Sequence, residues 1–121
     1  MGLTTAREDY LKAILILGRN NKEVRNCTVG TYMNLSKASV SVTMKDLEKA
    51  GYIKRDEEGC IHLTKEGTRS AEKVYERYQF LKKFLMKIGV SEKTAKEDAC
   101  KMEHTISEET LKNLEKMNIV K

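Results

Sequence analysis

Three side chains near the C-terminus have the types and spacing of a metal site. Within Cys100-Lys101-Met102-Glu103-His104, the cysteine, glutamate and histidine stand at i, i+3 and i+4. On a helix they fall at about 0°, 300° and 40°, within roughly one third of the circumference. A thiolate, a carboxylate and an imidazole on one face can share one divalent ion. The same spacing also describes a core face. Cysteine is among the most buried residue types, and a single histidine is often a satisfied core residue. The elements that would position these groups therefore matter.

A chain of 121 residues, 40% hydrophobic and 34% charged, suits one compact domain or two small subdomains. No apolar run approaches about 18 residues, so no transmembrane helix and no signal peptide is expected. Cys27, Cys60 and Cys100 are widely separated, with no C-x-x-C. Neither a disulfide framework nor a zinc knuckle is indicated, and a reduced, cytoplasmic chain is expected. The net charge of +5 divides as +2 over residues 1–63 and +3 over 64–121. That balance is compatible with nucleic acid but does not localise it.

Thr5-Ala6-Arg7-Glu8 has capping-box spacing and opens a helix running to about Gly18. Asp9 lies at its polar start. Leu11, Ile14 and Leu15 form one stripe, and Tyr10, Ala13, Ile16 and Leu17 extend it around the helix. A helix this apolar is expected to lie between two parts of the molecule. Asn20-Asn21-Lys22 reads as a turn and Val24–Cys27 as a short extended piece. Thr28 then caps a helix over about 29–34, and Ser36 caps a second over 37–50, stopped by Gly51. Two helices joined by Leu35-Ser36 make a helix-turn-helix. The period then changes to alternation over Tyr52–Arg55 and Cys60–Leu63, around the turn Asp56-Glu57-Glu58-Gly59. This hairpin completes a winged helix.

Thr64 caps a long helix with a stripe of Ala71, Val74, Tyr75, Tyr78, Leu81, Leu85 and Ile88, widened by Phe80 and Phe84. The stripe suits a core face that includes a dimer seam. Ser91 caps the helix that carries residues 100–104, and Ser107 caps a last one. The fold class predicted is mainly α: an N-terminal winged helix-turn-helix over 1–63 and a helical metal-binding and dimerisation region over 64–121.

In the second helix of the motif, Val40, Met44 and Leu47 share the inner face. Val42 and Lys49 lie opposite, flanked by Lys45. Ser36, Lys37, Ser39 and Ser41 sit at the N-terminal end, where amides and hydroxyls suit phosphate. Val42 on a polar face suits a thymine methyl. With Thr28 in the first helix, and Lys54 and Arg55 at the wing's base, these are the candidate contacts to double-stranded DNA. His62 reads as a surface histidine. A solvated surface helix is the competing reading.

The order of signals resembles the diphtheria toxin repressor and manganese transport regulator family of metal-dependent repressors, over essentially the whole chain. The carriers are Glu8-Asp9-Tyr10-Leu11, Ser39-Val40-Ser41, Leu47-Glu48-Lys49-Ala50-Gly51-Tyr52, Leu63-Thr64-x-x-Gly67 and Ala99-Cys100-x-x-Glu103-His104. The resemblance implies a homodimer with iron(II) or manganese(II) as corepressor, one ion per subunit. It places Cys100, Glu103 and His104 on the ligands from the dimerisation region and Asp9 on the ligand from the first helix. A thiolate in that set favours iron(II) over manganese(II).

The family's second metal position falls here on Tyr78, Lys82 and Lys96, and an acidic residue of manganese members falls on Lys12. A protonated lysine has no lone pair to donate, so a second ion is not expected. The SH3-like domain of longer members is not expected either. The alternatives are a winged-helix regulator without metal control and a winged-helix protein-interaction module. No nucleophile–base set or phosphate-cradling glycine loop suggests an enzyme, and neither a small organic substrate nor a membrane partner is expected.

Overall fold

The computed structural model describes residues 4–20 and 22–117, so Asn21, the middle of the first expected turn, lies outside them. The chain divides into two compact units, residues 1–73 and 74–121.

The first unit opens with α1 (Thr5–Arg19), whose N-cap is Thr4 rather than Thr5. The Thr4 hydroxyl accepts from the Arg7 amide at 3.2 Å, and the Glu8 amide already donates to the Thr4 carbonyl at 3.0 Å. The helical ladder thus begins one residue earlier than the capping-box spacing suggested. Residues 10–15 are buried without interruption, and Leu17 with them. This agrees with burial on more than one side.

The helix-turn-helix consists of α2 (Asn26–Met33) and α3 (Lys37–Lys49). The first begins three residues before the expected start, because Thr28 lies inside its first turn. The Thr28 hydroxyl accepts from the Arg25 amide at 3.3 Å and donates to the Glu23 carbonyl at 3.2 Å. Asn34 takes the left-handed conformation (φ 57°) that ends α2, a role asparagine tolerates. Ser36 caps α3 by accepting from the Ser39 amide at 3.2 Å. Val40, Met44 and Leu47 are fully withdrawn from solvent, as their shared face required.

The wing pairs β1 (Ile53–Arg55) with β2 (Ile61–Leu63), antiparallel, Ile53 opposite Leu63 and Arg55 opposite Ile61. Asp56 organises the connection: its Oδ1 accepts from the amides of Glu58 and Cys60, each at 2.9 Å. Ile61 also donates to the Val24 carbonyl at 2.7 Å, tying the wing to the segment before α2.

The start of α4 (Lys65–Lys87) is locked to the wing. Thr64 donates its amide to the Tyr52 carbonyl and its hydroxyl to the Gly51 carbonyl. It accepts the Gly67 amide at 3.0 Å. A side chain at position 67 would overlap the Tyr52 carbonyl oxygen. This is the physical content of Leu63-Thr64-x-x-Gly67.

The second unit holds the remainder of α4, then α5 (Glu92–Thr105) and α6 (Glu108–Lys116), capped by Ser91 and Ser107 as read from sequence. Leu81, Ala99 and Leu111 form its core, with Tyr78, Phe80, Met102, Ile106 and Leu114 packed around them. Among the described residues no helix is long and apolar enough to cross a membrane.

Candidate metal centre and nucleic-acid interface

The buried face of α5 is Ala95, Ala99 and Glu103, four residues apart. Two small residues followed by a fully buried carboxylate is an unusual face, because glutamate rarely leaves water unless something compensates its charge. Glu103 has no solvent exposure, and the His104 side chain keeps only 4%. His104 Nε2 lies 3.4 Å from Glu103 Oε1. Cys100, one turn before His104, is exposed and takes part in no disulfide. The donors are therefore a carboxylate and an imidazole held together away from water, with a thiol one turn back. This chemistry fits a divalent transition ion.

Asp9 belongs to the first unit, in the first turns of α1, where its side chain is about one third exposed. Lys12 Nζ stands 3.9 Å from Asp9 Oδ1, and Lys12 is itself buried. Its sequence position alone did not reveal that burial. Tyr78 packs against the Leu81–Ala99–Leu111 core and stacks with Tyr75, ring centroids 6.4 Å apart. Lys82 pairs with Glu92 at 3.8 Å, and Lys96 is exposed. Tyr78 is thus used for packing and Lys82 for an ion pair.

The outer face of α3 carries Val42, 62% exposed, beside exposed Lys45 and Lys49. Lys37, Ser39 and Lys54 are also exposed and Ser41 is half-buried. Ser36 is exposed but its hydroxyl caps α3. Thr28 is half-buried with its hydroxyl engaged by backbone. Arg55 is held within the unit: it donates to Asn26 Oδ1 at 2.7 Å and lies 3.9 Å from Glu48. The outward set is therefore Val42, Lys45, Lys49, Lys37 and Lys54. Asp46 on the same face pairs with Arg7 at 3.7 Å, which moderates its negative charge.

A separate grouping brings Glu23, from the segment before α2, together with Glu58 and Cys60 of the wing. Cys60 Sγ donates to Glu23 at 3.8 Å, and Arg25 donates to the Glu58 carbonyl at 2.8 Å. Burial pushes the Cys60 thiol above its ordinary value. The adjacent His62, exposed as expected, bonds Asp56 at 2.9 Å and lowers the Asp56 carboxyl, helped by the Cys60 amide. These contacts lock the wing's turn.

Winged helix and helical donor face together define a class, the DNA-binding regulators with a separate metal-binding region. Residues 2–60 match the family model described as the iron dependent repressor N-terminal DNA binding domain. Residues 64–118 match the iron dependent repressor metal binding and dimerisation domain. The chain belongs to the iron-dependent repressor family.

It is 35% identical over 109 residues to an uncharacterised HTH-type transcriptional regulator, MJ0568, of Methanocaldococcus jannaschii, covering 88% of this chain and 87% of that one. It is 36% identical over 104 residues to the transcriptional regulator MntR of Escherichia coli O6:H1, covering 86% and 67%. Among solved structures, the manganese regulator SloR superposes with a TM-score of 0.82 at 28% identity, over 93% of this chain and 53% of that one. The IdeR of T. acidophilum gives 0.79 at 25%, over 99% and 56%. The chain spans about half the length of these two solved chains.

Proposed function

We propose that this chain is a metal-dependent transcriptional repressor acting as a homodimer on a palindromic operator in the cytoplasm. Its corepressor is one divalent ion per subunit. The observation that carries the reading is the buried Glu103–His104 pair on α5, in a chain whose other unit is a winged helix. Asp9, Cys100, Glu103 and His104 would hold the ion. A bound ion would supply the positive charge that these donors share, and Asp9 would thereby restrict where α3 of each subunit can stand. In a dimer, two such helices meet successive major grooves about 34 Å apart. The shift toward that arrangement equals the ion's differential affinity for it, and no more.

Relatives named as manganese regulators support a hard-to-borderline ion. The thiol of Cys100 favours the softer end of that range, so iron(II) is preferred over manganese(II). The packed Tyr78 and the paired Lys82 support a single ion at this centre. Elemental analysis after anaerobic loading with iron(II) is expected to give one tightly held ion per subunit, and two would contradict the reading. At the seam, Phe80 and Phe84 stack with centroids 6.2 Å apart, and Met86 and Ile88 are exposed beyond them, which supports a second subunit there.

On DNA, Lys37, Lys45, Lys49 and Lys54 face phosphates, Ser36, Ser39 and Ser41 line the N-terminal end of α3, and Val42 meets a base-edge methyl. Thr28 and Arg55 act by holding α2 and the wing in place for that contact. Lys49→Ala is expected to weaken binding to all duplexes alike and to flatten the salt slope by about one unit. Gel mobility at several salt concentrations checks this. A sequence-selective loss with unchanged slope would count against a phosphate role.

A further inference from the structure

The first unit contains a charged group that the DNA-binding role does not use. Lys12 lies in the middle of the most buried stretch of α1, between Tyr10, Leu11, Ala13 and Ile14, with 8% of its surface exposed. Lysine is almost never withdrawn to that extent unless paired, because the ammonium loses its hydration. Its Nζ reaches back one turn to Asp9 Oδ1, at 3.9 Å. Residues at i and i+3 share a helix face, so this contact follows from the helix itself.

We infer that Lys12 is a built-in cation that competes with the regulatory ion for Asp9 and so sets the metal concentration at which the protein responds. This rests on the reading that Asp9 is a metal ligand. The ammonium has three donors and no lone pair, so it cannot ligate. It acts only through charge and hydrogen bonding on the carboxylate. A divalent ion taking Asp9 must share that carboxylate with a fixed positive charge. Lys12 is itself buried, so salt screens its charge only in part. A neutral residue of the same length would leave Asp9 wholly to the metal.

The alternative role has the opposite sign. If Lys12 merely orients Asp9 for the ion, its removal weakens binding. The test is a manganese(II) titration of the full chain, by competition with a fluorescent chelator. Wild type is compared with Lys12→Met, Lys12→Gln, Lys12→Arg, Asp9→Asn and the double variant Asp9→Asn/Lys12→Met. The neutral variants are expected to bind manganese(II) on the order of tenfold more tightly, the scale of one charge at such a distance. Lys12→Arg, which keeps the charge, should stay near wild type. The gain should shrink once Asp9 is already Asn. Two neutral variants guard against one failing to fold, and melting curves verify both. Unchanged or weaker binding in the neutral variants, with tight binding lost in Asp9→Asn, overturns the role of Lys12 and leaves the Asp9 reading standing. Unchanged binding in Asp9→Asn overturns that reading itself.

Discussion

Replacing Asp9 or His104 by alanine is expected to abolish metal-dependent operator binding while leaving a folded dimer. Each variant removes one of the four proposed donors, and removing even the partners of metal ligands costs roughly 10- to 100-fold in affinity. Losing a ligand itself should reach at least the upper end of that range. Asp9 is the safer of the two to change, because its side chain is about one third exposed near the start of α1. The His104 side chain is buried near the C-terminal end of α5, so its variant needs the fold check more. Glu103 is a poorer choice. It is fully buried, so Glu103→Ala would leave a hole beside Ala99 and confuse loss of metal with loss of packing. Mobility shifts with and without manganese(II), beside circular dichroism and size-exclusion chromatography, provide the check. An undiminished metal response in both variants would refute the ligand set.

Gly67→Ala should be the most damaging small change in the scaffold. An added Cβ meets the Tyr52 carbonyl oxygen and carbon, which are backbone atoms. That carbonyl already accepts from the Thr64 amide, and the Gly67 amide is bound by the Thr64 hydroxyl. The chain cannot move away without breaking the junction of wing and α4. Overpacking of this kind costs about 1–3 kcal/mol, or several degrees in melting temperature for a chain of this size. Gly18→Ala supplies the control. Nothing lies within 4 Å of its added methyl, and it sits in the last turn of α1, so a neutral or slightly stabilising result is expected. Equal melting temperatures for the two variants would contradict the packing argument.

Much of this organisation was legible in the sequence because it rests on local rules. Ser36, Ser91 and Ser107 each cap the helix that their position announced, and Gly51 follows the end of α3 with φ at +86°. Val40, Met44 and Leu47 fell on one face by arithmetic alone. The misses came where two local signals competed. Thr4 and Thr5 are equally good caps by type, and only the first backbone hydrogen bond distinguishes them. Thr28 looked like a cap but serves inside the first turn of α2, because its hydroxyl reaches both Arg25 and Glu23.

Burial at α5 was harder to read. Ala95, Ala99 and Glu103 share the inner face of α5, and nothing local announces a buried glutamate, a residue type usually found in solvent. Lys12 posed the same difficulty within an apolar helix. Arg55 looked available for phosphate, but its guanidinium is taken by Asn26 and lies close to Glu48, partners that are 29 and 7 positions away in sequence. Long-range pairing of a charged side chain leaves no local pattern.

The central claim is that one ion, held by Asp9 together with Cys100, Glu103 and His104, controls DNA binding. It is tested most directly by titrating iron(II), manganese(II) and zinc(II) into the protein on a duplex enriched from a random pool. Wild type, Asp9→Ala and Cys100→Ala are measured side by side. The expected result is metal-dependent binding in wild type and its loss in Asp9→Ala. In Cys100→Ala, the response to iron(II) should be weakened more than the response to manganese(II). Equal DNA binding by all three proteins, with or without metal, would contradict the claim.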